Sequence, residues 1–335
     1  MGVACAAIVL MATGAVHAGQ GCSSITDYSS AWASPDTAAG EESSDSTEVK
    51  MPWRVSLDYS YNDANQLIQG STRQTEREPW TPPNGNTGEL GVRNRYEKLV
   101  TGLSYDHSQI LTTGVSIPYV RNQRWEDHHH YSHYESAGIG DVTVFGKYWL
   151  KREKDALNTY VDLALSLPTG KSDETFNYIP QGKTAVTTAY RAAYIQPGYG
   201  QLVPIIALGF EKPAGTGTSM FGRAQYSDPQ WTNDVGYRSQ SNLMTNLGMG
   251  HSFGKYGVSG QFNYLYAKFR KDSRNGVDVG NTGGEWIDFQ PGAFYSPDGG
   301  ITTITASVPI GLYYYVNSIQ TYAPWSLNIG VSRRF

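Results

Sequence analysis

From Trp53 to Phe335 the chain repeats one pattern: segments of about ten residues in which large apolar side chains alternate with polar or small ones. Side chains of a β-strand point to opposite faces with period two, so each segment reads as a strand with one oily and one hydrophilic face. Trp53, Val55, Leu57, Tyr59 and Tyr61 share one face, while Arg54, Ser56, Asp58 and Ser60 share the other. Val161, Leu163, Leu165 and Leu167 likewise oppose Asp162, Ala164 and Ser166. Leu243, Thr245, Leu247 and Met249 oppose Asn246, Gly248 and Gly250. Twelve such segments follow one another, and the last carries Trp325, Leu327, Ile329, Val331 and Phe335.

Alternation alone fits a soluble sandwich with oily faces inward or a membrane barrel with oily faces outward. Three features favour the barrel. Ten residues is the length a tilted strand needs to cross a bilayer. The connections alternate in length: 107–109, 151–156, 211–217, 254–255 and 296–299 are short, whereas 62–93, 121–137, 168–197, 228–238, 270–284 and 315–324 are longer. Short periplasmic turns and long outer loops produce that order. Aromatic residues also gather at strand ends: Tyr119, Tyr226, Tyr264, Tyr266 and Trp325 on the loop side, Trp53, Tyr105, Tyr148 and Phe253 on the turn side. Amphipathic rings favour the two water–lipid boundaries. The expected fold is all-β: a transmembrane antiparallel up-and-down β-barrel of about 12 strands, closed because hydrocarbon tolerates no unpaired strand edge. Pro204, Pro291 and Pro309 lie inside assigned strands and oppose those assignments locally.

Composition narrows the classes further. A mean hydropathy of −0.44 argues against a bundle of membrane helices but not against a barrel, whose strands average out. The net charge of −4 gives no basic footprint, so no nucleic-acid partner is expected. Val3 to Ala15 are apolar or small, and Val16-His17-Ala18 has the small-x-small form of a signal-peptidase site. Residues 1–18 therefore read as an export signal, although no Lys or Arg precedes the apolar run; a short buried helix is the alternative. Of the two cysteines only Cys22 would remain, which excludes an internal disulfide. Residues 19–50 hold six acids against Lys50, leaving +1 on residues 51–335. This Ser-rich acidic stretch reads as a disordered periplasmic tail, whether plug, tether or solvated linker. The barrel is expected over 51–335.

The final strand, Trp325-Ser326-Leu327-Asn328-Ile329-Gly330-Val331-Ser332-Arg333-Arg334-Phe335, resembles the C-terminal signature of bacterial outer-membrane barrels. That resemblance implies outer-membrane localisation, outer-membrane lipid as surroundings, and recognition of Phe335 by barrel-assembly machinery. More narrowly, Gly138-Ile139-Gly140-Asp141-Val142-Thr143-Val144-Phe145-Gly146-Lys147-Tyr148 and Leu165-Ser166-Leu167-Pro168-Thr169-Gly170 resemble the MetA-pathway of phenol degradation family. This implies a transport barrel for small, often aromatic, compounds.

Twelve strands fall between the filled eight-strand barrel and the wide 16–18-strand channel, so a narrow pore is expected. Its charged lining would come from Arg54, Asp58, Lys98, Asp141, Lys147, Asp162, Arg223, Asp288 and Arg334. These either tune selectivity or brace the barrel as internal ion pairs. Phe145, Trp149 and Phe294 on the same face would give an aromatic solute a greasy path. The expected function is passage of small, aromatic or hydrophobic molecules; the alternative is a structural, adhesive or metal-binding barrel acting through outer loops. For the latter, His128, His129, His130 and His133 in an outer loop are candidate metal ligands or a plain solvated loop. The stretch Thr184 to Tyr199 reads as a strand-like arm or an inward loop. No Ser-centred nucleophile elbow, HExxH or Walker loop is present, so neither enzyme activity nor a cofactor is expected.

Overall fold

The computed structural model describes residues 51–74, 91–128, 130–178, 186–190, 195–266, 273–280 and 282–335. The expected export signal and acidic tail lie outside them. Among the described residues, twelve strands form the wall. They are β1 (Trp53–Ala64), β2 (Gly91–Asp106), β3 (Leu111–His128), β4 (Thr143–Lys151), β5 (Asn158–Ser166) and β6 (Val203–Gly215). The second half is β7 (Thr218–Ser227), β8 (Asn242–Phe253), β9 (Tyr256–Tyr266), β10 (Gly284–Tyr295), β11 (Thr302–Ser307) and β12 (Ser326–Arg334).

Each strand pairs antiparallel with its predecessor, and β12 returns to β1 in a register running from Arg54↔Arg334 to Asn62↔Ser326. Closure extends to the chain end, where Phe335 N–H donates to the Trp53 carbonyl at 2.9 Å. Sequential pairing all round makes this an up-and-down barrel with no free edge. A two-residue turn joins β8 to β9, and Gly254 adopts the positive φ of +69° that such a tight hairpin needs.

The alternation becomes an inside and an outside. Leu163 is 57% exposed while its neighbour Asp162 is 1% exposed; Leu247 is 55% exposed beside Asn246 at 9%. An oily exterior around a polar interior is the arrangement a bilayer selects. Rings cluster at both ends of the wall: Trp53 lies edge-on to Tyr105 at 4.7 Å and Tyr256 stacks on Tyr295 at 5.0 Å on the turn side. On the loop side Tyr61 faces Trp325 at 6.2 Å.

Two expectations need correction. The segment 121–137 is not a loop. His130–Ile139 pairs with β3 from Tyr119↔Ile139 to His128↔His130, so the wall continues as a hairpin. Arg121 and Gln123 both donate to Glu135 across it, and His133 stacks on Trp125 at 4.7 Å. The assigned strand that holds Pro309 is not continuous, and the expected connection 315–324 is largely strand. The assigned strand breaks at Val308-Pro309 between β11 and a further strand, Ile310–Tyr322. Pro291 of β10 sits where its partner changes from Ile310–Tyr322 to β11, so two residues without an N–H donor meet at one irregularity. Pro204 pairs with Leu165 near the start of β6.

Candidate functional site in the barrel lumen

The turn-side half of the lumen is built from charges and flat rings. Cross-strand pairing sets Lys147 of β4 opposite Asp162 of β5. Arg223 Nε of β7 lies 3.0 Å from Asp162 Oδ2, and both side chains are buried. Lys147 Nζ sits 4.2 Å from the Tyr160 ring centre and 5.5 Å from that of Trp149, so aromatic faces also hold the ammonium. At the rim, Arg334 Nη1 is 3.6 Å from Asp106 Oδ2, bridging over Arg54 on β1. Asp58 rests against Gly330, where a Cβ would meet its Oδ1 at 2.4 Å.

The rings stay against the wall because glycine opens space for them. A Cβ at Gly114 would lie 2.4 Å from Phe145, and one at Gly209 would lie 2.2 Å from Tyr160. Phe221 occupies the same relation to Gly248, and Phe294 to Gly257. Glycine thus lets a bulky inward ring lie flat on the neighbouring strand. Opposite this ionic and aromatic wall stands a neutral one. Gln261 of β9 donates to Asn263 and Gln290, Asn263 donates to Gln290 at 2.9 Å, and Gln290 donates to Ser307 of β11 at 2.8 Å. Asp288 of β10 faces Asn263 and is buried.

The loop-side half is organised by chain that folds inward. The segment from Ile195 to Gln201 is buried inside the barrel. Its anchor is Asp141, in the break between His130–Ile139 and β4. Asp141 Oδ1 accepts the Gly170 N–H at 2.9 Å and Oδ2 accepts the Tyr199 N–H at 2.7 Å. Gly170 and Gly198 cross with no room for a side chain: a Cβ on Gly198 would meet Gly170 backbone at 2.6 Å. Further along, Asn122 donates to the Gln196 carbonyl at 3.2 Å, and Asn233 donates to the Tyr199 carbonyl at 2.8 Å. The Gln201 amide donates to the Tyr237 carbonyl at 2.6 Å and accepts from Ser239.

Beneath this segment lies a small cavity of about 50 Å³ that opens toward solvent. Tyr96, Pro118, Val120, Tyr199, Val203 and Ile205 give it a mostly apolar lining, while Lys98, Asn122, Gln225 and Asn242 supply polar groups. Ile205 packs against Phe145, so the apolar lining runs on toward the turn side. Across the barrel the lumen is filled instead. Ile68, Met244, Leu265, Trp286, Val316 and Tyr322 form a buried apolar cluster where Gln66–Gly70 and Ile310–Tyr322 pair with each other above β8–β10.

Eight of the nine charged residues singled out in the sequence are buried: Arg54, Asp58, Lys98, Asp141, Lys147, Asp162, Arg223 and Asp288. Arg334 is partly exposed at the rim. The structure joins Lys147, Asp162 and Arg223 into one group. It separates Asp141 from the rest, as a clamp on the chain rather than a charge facing an open path. Phe145, Trp149 and Phe294 are buried on the same face. His128 and His130 pair within the hairpin, and His129 lies outside the described residues. On the turn side His107 Nε2 and His251 Nδ1 each contact a threonine hydroxyl at 2.8 Å. Sequence reasoning missed Asn122, Asn233, Gln196 and Gln201 as loop anchors. Their local sequence carries no periodic signal; only the glycines around 198–200 hinted at close backbone approach.

No protein-family model matches the sequence, and no curated protein matches it. Solved structures do. The COG4313 outer membrane channel from Pseudomonas putida F1 superposes with a TM-score of 0.63 at 10% identity, over 88% of this chain and 100% of that one. The CymD monoaromatic hydrocarbon channel gives 0.46 at 10% identity, over 86% and 90%. The Ralstonia pickettii toluene transporter TbuX gives 0.43 at 11%, over 86% and 90%. At these identities the first likeness is one of fold, and with the oily exterior it makes this chain an outer-membrane barrel of twelve strands.

Proposed function

We propose that the barrel passes small molecules with an apolar or aromatic body across the outer membrane. The observation that carries this reading is the small, mostly apolar cavity under Ile195–Gln201, whose lining residue Ile205 packs on Phe145 of the turn-side lumen. A wall built only to stay closed needs neither a cavity nor a loop clamped above it. The charged groups at Arg54, Asp58, Lys147, Asp162, Arg223, Asp288 and Arg334 then act on the solute after it leaves the cavity, by ordering polar groups along a narrow path. The folded chain, reconstituted in planar bilayers and in swelling liposomes, is expected to give small single-channel currents and uptake of small solutes. Absence of both from protein with heat-modifiable gel mobility would defeat the proposal.

A further inference from the structure

We propose that the cavity under Ile195–Gln201 is a filter for small uncharged hydrogen-bonding solutes, urea being the simplest organic one and water the smallest. The occupant differs from the solutes of the passage reading above: it is polar, and it fits while the segment stays clamped. Size sets the first limit. A water needs roughly 10–15 Å³ of such space, so the cavity of about 50 Å³ takes about three or four waters, or one solute of about that many heavy atoms. A ring-bearing body does not enter until the segment leaves.

The chemistry of the lining sets the second limit. Gln225, Asn122 and Asn242 border the cavity, and each is more than nine-tenths buried. Among the described residues, both amide atoms of Gln225 lack a hydrogen-bond partner, as do Asn122 Oδ1 and Asn242 Oδ1. The register explains Gln225: its neighbours across β6 and β8 are Ala207 and Met244, which offer it no polar side-chain group to bond. The other two amides donate to nearby chain, Asn122 to the Gln196 carbonyl and Asn242 to the Gln240 carbonyl, which leaves their oxygens to the cavity. The cavity thus presents acceptors on three residues and a donor on one. Buried amides without partners are unfavourable, and a small molecule with several N–H or O–H groups and one acceptor satisfies them. Urea and water both have that make-up. Glu97, Lys98 and Asp141 also border the cavity, but each is engaged within the protein, Glu97 with the Tyr59 hydroxyl and Asp141 with the Gly170 and Tyr199 amides. A charged solute would exchange its hydration for mostly neutral and apolar surroundings.

The test follows urea and glycerol entry into proteoliposomes of the full chain by stopped-flow light scattering, with protein-free liposomes as background. Urea is expected to enter at least about tenfold faster than glycerol, which is too large for the cavity. Gln225→Leu removes the amide at nearly constant volume and should slow urea about fivefold, the scale of one neutral hydrogen bond. Lys255→Met, on the exposed β8–β9 turn, should match wild type for both solutes. Equal entry of urea and glycerol, urea entry in Gln225→Leu as fast as in wild type (the result for an amide that stays dry), or no urea entry above the lipid background would overturn the inference. Should Gln225→Leu not fold, Asn242→Ala carries the same expectation and the wild-type ratio still decides. The two readings fail separately. Urea entry without currents or uptake of ring-bearing solutes removes passage and leaves the filter, whereas uptake of ring-bearing solutes without a urea preference removes the filter alone.

Discussion

The two halves of the lumen solve the same problem differently. On the turn side, among the described residues, the groups that fill the space come from the wall strands and meet partners a strand or two away: Asp162 with Arg223, Lys147 over Tyr160, Phe145 over Gly114. On the loop side, space is filled by a segment folded inward on one side and by strands that extend the wall on the other. Ile195–Gln201 hangs from Asp141 on one side, and Ile310–Tyr322 with Gln66–Gly70 packs around Trp286 on the other. The turn-side half is therefore rigid in the way the barrel is rigid. Ile310–Tyr322 is itself paired with β10, whereas Ile195–Gln201 is held by side-chain and loop contacts and can change without breaking a wall hydrogen bond; the cavity lies beneath it.

If that contrast holds, the largest effect belongs to the loop-side clamp. Asp141→Ala strips the acceptor from two backbone amides, at about 1.5–3 kcal/mol for each charge-assisted hydrogen bond. Ile195–Gln201 should then become sensitive to limited proteolysis and single-channel conductance should rise severalfold. An unchanged current would show that the segment is not what narrows the lumen. The turn-side counterpart is Asp162→Asn, which leaves a buried guanidinium without its carboxylate at a cost of about 3–5 kcal/mol. It should lower the thermal midpoint of barrel unfolding while leaving the proteolysis pattern of the loop-side segment as in wild type.

A smaller effect is expected from Gly209→Ala, whose added methyl would meet the Tyr160 ring at 2.2 Å. The ring must leave the wall and enter the lumen, at about 1–3 kcal/mol, and ion current should fall rather than rise. The smallest effect concerns the outer hairpin. Arg121, then Gln123, hold the Glu135 carboxyl below its ordinary 4.5 by hydrogen bonding to the charged form. A depressed carboxylate contributes stability that is present above its unfolded value and disappears as pH falls through the folded one. Amide exchange in His130–Ile139 should thus quicken only below about pH 4.5, and Glu135→Gln should abolish that acid dependence.

How much could be foreseen follows the same division. Period-two alternation specifies which face of Asp162 or Leu247 meets lipid, because a one-residue slip would put every oily side chain in the wrong medium. The twelve strands and their up-and-down order were legible for that reason. The hairpin over 121–137 was not, because above the membrane both faces meet water and the alternation that marks a strand fades. Asp141 shows the limit most clearly. Its sequence neighbours present it as one more inward charge, but its partners Gly170 and Tyr199 are 29 and 58 residues away. Contacts of that span leave no periodic trace. The Thr184 to Tyr199 stretch read as either an arm or an inward loop, and both occur: Thr187–Tyr190 pairs with Thr175–Tyr178, and Ile195 onward turns inward.

The whole account depends on which solvent each face of the wall meets. Single cysteines placed from Leu243 to Met249 of β8, in a background with Cys5→Ser and Cys22→Ser, can carry a fluorophore in bilayers made with brominated acyl chains. Quenching at positions 243, 245, 247 and 249 with little at 244, 246 and 248 is the predicted result. Quenching at the even positions, or no alternation, would contradict it.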